Sequence, residues 1–235
     1  REALKLRRHI HLEPRVQGLQ PAAASRRFPS YLAPAMTQLP ELPLTLSRQE
    51  IRKMIRQRRR ALTPEQQQEM GQQAATRMMT YPPVVMAHTV AVFLSFDGEL
   101  DTQPLIEQLW RAGKRVYLPV LHPFSAGNLL FLNYHPQSEL VMNRLKIHEP
   151  KLDVRDVLPL SRLDVLITPL VAFDEYGQRL GMGGGFYDRT LQNWQHYKTQ
   201  PVGYAHDCQL VEKLPVEEWD IPLPAVVTPS KVWEW

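Results

Sequence analysis

Cysteine is nearly absent from this 235-residue chain. The single Cys208 cannot close an internal disulfide, which suits a reducing compartment, and a cytoplasmic location is expected. No apolar run approaches the roughly 18 residues that a membrane-spanning helix needs. The eight histidines are scattered, and none stands at metal-ligand spacing from a Cys or another His. An excess of one charge sign is also missing from most of the chain. The net charge is +4, but residues 1–35 hold seven Lys/Arg against two Asp/Glu. That leaves 21 basic and 22 acidic residues in 36–235, a net of −1. Whole-chain charge is therefore no argument for nucleic-acid binding. With 43% hydrophobic and 22% charged residues, the remainder has the composition of one globular domain able to bury a core.

The basic arm (residues 1–35) has four prolines, no clear period and no continuous apolar segment of the secretory kind. Patterned sequence begins after Met36. Met36 is read as the natural start, with residues 1–35 a non-native or disordered extension. An organelle transit peptide is the runner-up, since the arm is Arg-rich and acid-poor. Residues 36–235 are expected to form a single domain.

From Ser47 the chain reads as helix, with Ser47 as cap and Glu50 placed three residues later as in a capping box. Ile51, Met54 and Ile55 form an apolar stripe, and Arg48, Arg52, Arg56 and Arg59 lie on an adjacent face. By charge alone that arginine-rich helix reads as a solvated face or an RNA-binding strip. A second helix starts at Thr63, with Pro64 in the first helical position and Gln66 completing a capping box. The apolar run at 88–96, a helix over 101–114 and a strand at 115–120 then make a strand–helix–strand order that predicts a parallel crossover. Further strands are predicted at 128–134, in one or two pieces of 163–173, at 201–205 and at 225–228. The expected fold is α/β, an open and mostly parallel sheet flanked by helices, behind an N-terminal helical segment.

"RLGMGGGFYDR" (179–189) places Gly181, Gly183, Gly184 and Gly185 between a predicted strand ending near Phe173 and a helix starting near Phe186. Glycines there let the backbone approach a ligand, and successive N–H groups with those of the next helix can cradle an anion. No Gly-Lys-Ser/Thr closes the loop, and the dinucleotide fingerprint is not matched either. Arg179 and Arg189 set positive charge on both sides. Asp188 is an oxygen donor of the kind Mg²⁺ takes beside phosphate, or a plain complement to the helix dipole.

The chain resembles the 5-formyltetrahydrofolate cyclo-ligase (methenyltetrahydrofolate synthetase) family, in its bacterial form, over nearly all of residues 47–229. The most specific stretch is "PLVAFDEYGQRLGMGGGFYDR" (169–189). It is similar to the family signature Pro-x-x-x-Phe-Asp-x-x-Gly-x-Arg-Leu-Gly-x-Gly-x-Gly-Tyr-Tyr-Asp. Supporting stretches are "SRQEIRKMIRQRRRAL", "FLSFDGELDT", "KIHEP" and "GYAHDCQ…LPVEEWDIPL". The resemblance implies an ATP- and Mg²⁺-dependent closure of 5-formyltetrahydrofolate to 5,10-methenyltetrahydrofolate, releasing ADP and phosphate through a phosphorylated formyl intermediate. It implies small-molecule partners only, without nucleic acid or membrane, and a monomer.

Residue by residue, the resemblance implies ATP contacts at Arg48 and Arg52, with Arg48 standing where Lys is usual. It extends the ATP site through Arg179, Leu180, Gly181, Met182, Gly183, Gly184, Gly185, Phe186 and Tyr187. Arg179, Tyr187 and Arg189 are expected to be catalytic. Folate is expected against Leu94, Glu99, Met182, Gly183, Gly184, Gly185 and Phe186, and a carboxylate such as Glu99 can accept paired N–H bonds from a pterin. Asp188 and Asp220 match the Mg²⁺ ligands. Phe186 replaces a frequent Tyr, while Met182 and Gly184 occupy positions that often carry Arg or Lys. Arg179 or Arg189 is expected to compensate. Arg58, Arg59 and Arg60 are left as a solvated face, and Tyr117, Trp110 and Lys146–Pro150 as pocket walls that more often are core or turn. Protein lacking residues 1–35 is expected to keep full turnover in a steady-state assay; lost activity would overturn the reading of the arm.

Overall fold

A computed structural model describes residues 46–235, so the expectation about residues 1–35 lies outside the described residues. The first helix, α1 (Arg48–Arg60), is capped by Ser47, whose Oγ accepts from the Glu50 amide at 3.2 Å. Helix α2 (Pro64–Thr80) starts on the complete reciprocal box: Thr63 Oγ1 accepts from the Gln66 amide, and Gln66 Oε1 from the Thr63 amide. A short α3 (Pro82–Met86) leads into β1 (Thr89–Ala91), α4 (Gln103–Arg111) and β2 (Arg115–Leu121). Then come β3 (Leu129–Tyr134), the hairpin β4 (Leu140–Met142) and β5 (His148–Pro150), and β6 (Val157–Leu158). The second half holds β7 (Val165–Thr168), β8 (Ala172–Asp174), β9 (Arg179–Leu180), α5 (Phe186–Leu191), β10 (Gln200–Tyr204), β11 (Leu210–Val211), β12 (Ala225–Val227) and β13 (Val232–Glu234).

Eight strands form the main sheet in the order β13-β12-β10-β7-β1-β2-β3-β6. Its four central junctions, from β12 to β2, are parallel, and the junctions at both edges are antiparallel. The predicted crossover is present, with β1 and β2 parallel and α4 between them in sequence. Strand alternation divides the core between the two faces. Val90, Val165, Ile167 and Val227 pack with Ala74, Met78, Leu105 and Leu109 of α2 and α4. Ala91, Leu166 and Val226 pack on the other side with Phe173 and Leu191.

Four expected elements take a different form. The 88–96 run stays in the ladder only over Thr89–Ala91, because the chain then turns aside and Phe93, Leu94 and Phe96 line a crevice. The 163–173 run breaks after Thr168, where Pro169 has no N–H to offer a ladder, and its second half joins another sheet. That small sheet has the order β11-β8-β9. The glycine loop consequently follows the β8–β9 hairpin rather than a strand of the main sheet. Helix α5 has six residues only, too short to supply much dipole.

Helix α1 lies on the small sheet. Ile51 and Ile55, 1% and 0% exposed, pack with Val171, Ala172, Leu180, Val211 and Leu214, and Met54 is partly buried against them. Each fully buried Ile contributes about 1.5–3 kcal/mol.

In β10, a Cβ at Gly203 would sit 2.8 Å from Val226 Cγ2 and 3.0 Å from Leu170 and Leu223 methyl groups. All three neighbours are buried. Gly203→Ala is expected to lower stability by about 1–3 kcal/mol, read from the urea midpoint; an unchanged midpoint would contradict the packing.

Candidate active site

A crevice of about 660 Å³ opens at the carboxyl ends of β1, β2 and β7. Its walls include Phe93, Leu94 and Phe96 beyond β1, Leu118 and Leu121 of β2, and Pro169 and Leu170 beyond β7. Ligands of open α/β sheets bind outside such carboxyl ends, and the volume suits one or two small molecules. The remaining walls come from α1, the glycine loop, the start of α5 and the β4–β5 hairpin. Most of the lining is apolar, with charge confined to a few arginines and carboxylates.

Docking of α1 on the small sheet carries its arginines to the loop. Arg52, 6% exposed, donates from Nε to the Gly181 carbonyl at 2.7 Å. Its Cζ lies 3.7 Å from where a Gly183 Cβ would stand. Arg179 is buried beneath the loop, where its Nε donates to the Pro169 carbonyl at 2.8 Å. Its guanidinium sits 5.5 Å from the Tyr187 ring centre and 3.8 Å from Asp188 Oδ1. Gly183 (φ 109°) and Gly185 (φ 69°) take left-handed backbone conformations that L side chains resist. Among the described residues, the amides of Met182 to Gly185 have no hydrogen-bond acceptor. The free donors of the loop are therefore its own backbone, more than the short helix after it.

Glu99 lines the crevice from a tight turn in which Asp97 (φ 53°) and Gly98 (φ 74°) are both left-handed. Its Oε1 accepts from the Phe96 amide at 3.1 Å. Burial pushes its carboxyl up to about 7, opposed by the Phe96 amide and then by Arg59. Arg59 corrects the expectation of a solvated face: it is 3% exposed. Eleven residues after Arg48, it returns to the same helix face because three turns of helix take about 11 residues. Arg58 and Arg60 are not buried, and Arg60 reaches Asp97 at 2.6 Å.

Asp188 and Asp220 sit close to each other, since Asp188 Oδ1 accepts from the amide of Ile221, the next residue after Asp220. Asp220 is paired with both Nη atoms of Arg48, at 2.6 and 3.1 Å. Their side chains are 11% and 3% exposed. Among the described residues no cluster of three or more His, Cys, Asp or Glu could hold a metal alone. Mg²⁺ commonly takes one or two carboxylates and fills its octahedron with water and substrate phosphate. Two adjoining, largely buried carboxylates fit that requirement.

Leu94, Glu99, Arg48, Arg52, Arg179, the Gly181–Tyr187 loop and Asp188 all border the crevice. Leu180 lies in the core beneath, and Arg189 faces away from it. Arg189 donates to the Gly127 carbonyl at 2.6 Å and to the Gly184 carbonyl, and its guanidinium lies 5.5 Å from the Phe186 ring centre. Tyr117 is core, and Trp110 stacks on Tyr134 while its indole N–H meets the Tyr134 carbonyl. Ile147, His148 and Glu149 do reach the crevice. Trp219, 63% exposed at its mouth, and Asn143 were not foreseen. An exposed Trp beside "EEWD" was the available signal for the first; Asn143 carried none.

The family model for the 5-formyltetrahydrofolate cyclo-ligase family matches residues 45–229. The chain belongs to this family. It is 53% identical over 179 residues to the 5-formyltetrahydrofolate cyclo-ligase of Haemophilus influenzae, covering 76% of this chain and 96% of that protein. The Mycolicibacterium smegmatis cyclo-ligase is 31% identical over 188 residues, covering 79% and 95%. The NMR structure of Aquifex aeolicus 5,10-methenyltetrahydrofolate synthetase superimposes with a TM-score of 0.69 at 28% identity, covering 80% of this chain and 93% of that one. Membership in the cyclo-ligase family agrees with the crevice, whose walls fall within the matched span.

Arg52→Lys removes the Nε that holds the Gly181 carbonyl while keeping a positive charge. Backbone ¹⁵N order parameters over residues 182–185 are expected to fall with the loss of this charge-assisted hydrogen bond, with β7 unchanged. Equal order parameters in both proteins would show that Arg52 does not restrain the loop.

Proposed function

We propose that this cyclo-ligase closes 5-formyltetrahydrofolate to 5,10-methenyltetrahydrofolate with ATP and Mg²⁺. The observation that carries the reading is convergence. Unsatisfied loop amides, Arg52, Arg179 and the carboxylates Glu99 and Asp188 border one crevice, and Asp220 adjoins Asp188.

The formyl oxygen attacks the γ-phosphorus of ATP, an O–P bond forms, and the bond to ADP breaks. N10 of the folate then adds to the activated formyl carbon and loses its proton. The C–O bond breaks, phosphate leaves with the electron pair, and the methenyl bridge remains. ATP is needed because an amide oxygen leaves poorly and phosphate leaves well. Phosphoryl transfer asks a protein mainly for positioning and charge stabilisation.

The amides of Met182 to Gly185 and the guanidinium of Arg52 bind the phosphates. Arg179 stabilises charge on the transferring group from beneath the loop. Its burial in a low-dielectric setting strengthens that effect. Arg179 thereby supplies the cation that Met182 and Gly184 do not, with Arg189 bracing the loop from outside. Tyr187 closes the wall between the two substrates, with its ring beside the Arg179 guanidinium and its hydroxyl buried behind the wall. Glu99 accepts from the pterin N–H groups, while Leu94 and Phe186 pack on the ring. Asp188 and Asp220 would hold Mg²⁺, which would supply neutralisation of phosphate charge, and Arg48, paired with Asp220, would stand beside the nucleotide. The partners are small molecules and the setting is the cytoplasm; among the described residues no helix is long and apolar enough to cross a membrane.

The test mixes protein with 5-formyltetrahydrofolate, MgATP and buffer, and follows the near-ultraviolet absorbance of the methenyl product. ATP-dependent product is expected, and its absence from folded protein would sink the reading. Asp188→Asn is expected to lower turnover at least about tenfold at fixed Mg²⁺ and to raise the Mg²⁺ needed for half-maximal rate. An unchanged Mg²⁺ requirement would remove Asp188 from the metal site.

A further inference from the structure

We propose that Arg59 is a positioning residue for Glu99: its buried guanidinium, tied to Asp97, and its backbone, packed on Gly98, hold the turn that sets Glu99 in the crevice wall. The proposal rests on the folate-binding role given to Glu99 above, and extends the site by a residue that touches neither substrate.

The geometry begins with the turn. Two consecutive left-handed residues, Asp97 and Gly98, fix the direction in which Glu99 leaves the backbone. A non-glycine residue in that conformation is strained and persists only when its surroundings hold it. Here α1 holds it. Asp97 meets Arg60 at 2.6 Å, Arg59 at 3.7 Å and Arg56 at 3.8 Å. A Cβ on Gly98 would lie 3.3 Å from the Arg59 backbone and Cβ, so the turn packs directly on that residue. The Gly98 carbonyl accepts from Gln67 Nε2 at 3.1 Å. It also meets His206 Nε2 at 3.2 Å; burial pushes that imidazole down to about 4, and since a carbonyl only accepts, the neutral ring carries its proton on Nε2.

Within this frame Arg59 is unusual. Its side chain is almost fully buried, and among the described residues it holds one long ion pair and its Nε has no partner. A buried guanidinium with unused donors is costly unless a nearby negative charge offsets it. Asp97 meets it at 3.7 Å, and Glu99, two residues on in the same turn, is the next carboxylate its charge acts on. The charged and titratable groups around Glu99 are Arg59 from α1, Asp97 from its own turn, Arg179 from β9 and Tyr187 from α5, with His206 bonded to the backbone of the turn at Gly98. Of the two cations, Arg59 opposes the effect of burial more strongly than Arg179. Arg179 is moreover engaged with Asp188 and the Pro169 carbonyl. Each cation holds one ion pair of similar length, but among the described residues only Arg179 also donates a side-chain hydrogen bond.

The consequence has a definite sign. A carboxylate that accepts pterin N–H bonds works only when ionised. Without Arg59, burial acts with less opposition, the Glu99 midpoint rises, and folate binding fails first at the acid end.

The experiment titrates the ¹³C-labelled Glu99 carboxyl by NMR in the protein without substrates, and measures KM and kcat for 5-formyltetrahydrofolate across pH. Arg59→Met is expected to raise the Glu99 midpoint by about one unit. KM should then rise about fivefold at pH 7, returning towards the parent value above about pH 9, with kcat within about twofold. In a Glu99→Gln background the same substitution should add no pH-dependent change. Arg59→Lys, which keeps charge without the planar fork, is expected to show about half the shift; if the Met variant fails to fold, a parent-like midpoint in Arg59→Lys overturns the proposal. A KM change that is equal at all pH values, or an unmoved midpoint, would make Arg59 a packing residue only. A raised midpoint in a protein without turnover would instead uphold Arg59 and defeat the functional reading.

Discussion

The site depends on how two isoleucines pack. Ile51 and Ile55 press α1 onto the small sheet formed by β8, β9 and β11, and everything charged in the crevice takes its place from that contact. A helix seated by one stripe has its neighbouring stripe aimed in a set direction. Here that stripe is Arg48, Arg52 and Arg59. Arg48 meets Asp220, Arg52 meets the Gly181 carbonyl, and Arg59 meets the turn that carries Glu99. Three points along one helix thus join the adjoining acids Asp188 and Asp220, the glycine loop and the turn of Glu99.

The small sheet explains why the glycine loop is held and yet keeps its donors free. Strand β9 anchors the entry to the loop, and α5 anchors its exit. Arg52 grips the loop by the carbonyl of Gly181 and Arg189 by the carbonyl of Gly184. Both restraints act on oxygens, so the amides between them stay available for an anion. Cations and carboxylates are also balanced around the crevice: Arg48 with Asp220, Arg179 with Asp188, and Arg59 with Asp97. Burying isolated charges would be costly, and close pairing reduces that cost.

Much of this was legible from local pattern. Thr63, Pro64 and Gln66 announce the start of α2 because capping involves only residues three apart. The parallel core follows from the order of apolar runs, since β1 and β2 are too close in sequence to be joined in parallel except through α4. The loop, its flanking Arg179 and Asp188, and Glu99 were legible through family resemblance. Asp220 was legible only in that way, because an acid in "EEWDIPL" has no distinguishing local feature. The reading failed at Arg59. Its place on the Arg48 face was visible from an 11-residue spacing, but charge suggested solvent. The turn that buries it lies about 40 residues further on.

Periodicity, capping and turn chemistry act between near neighbours, so the sequence alone determined the helices, the order of the strands, the apolar stripe of α1 and the glycine loop's freedom to bend. Its family motifs determined the class of chemistry. Tertiary structure alone decided that Pro169 diverts the chain into a second sheet, and that Arg179 lies under the loop while Arg189 lies outside it. It also decided that Arg59 is interior. Each of these depends on which distant surfaces meet. Burial, and with it the strength of every charge in the crevice, is a property of those meetings and not of any stretch of the chain.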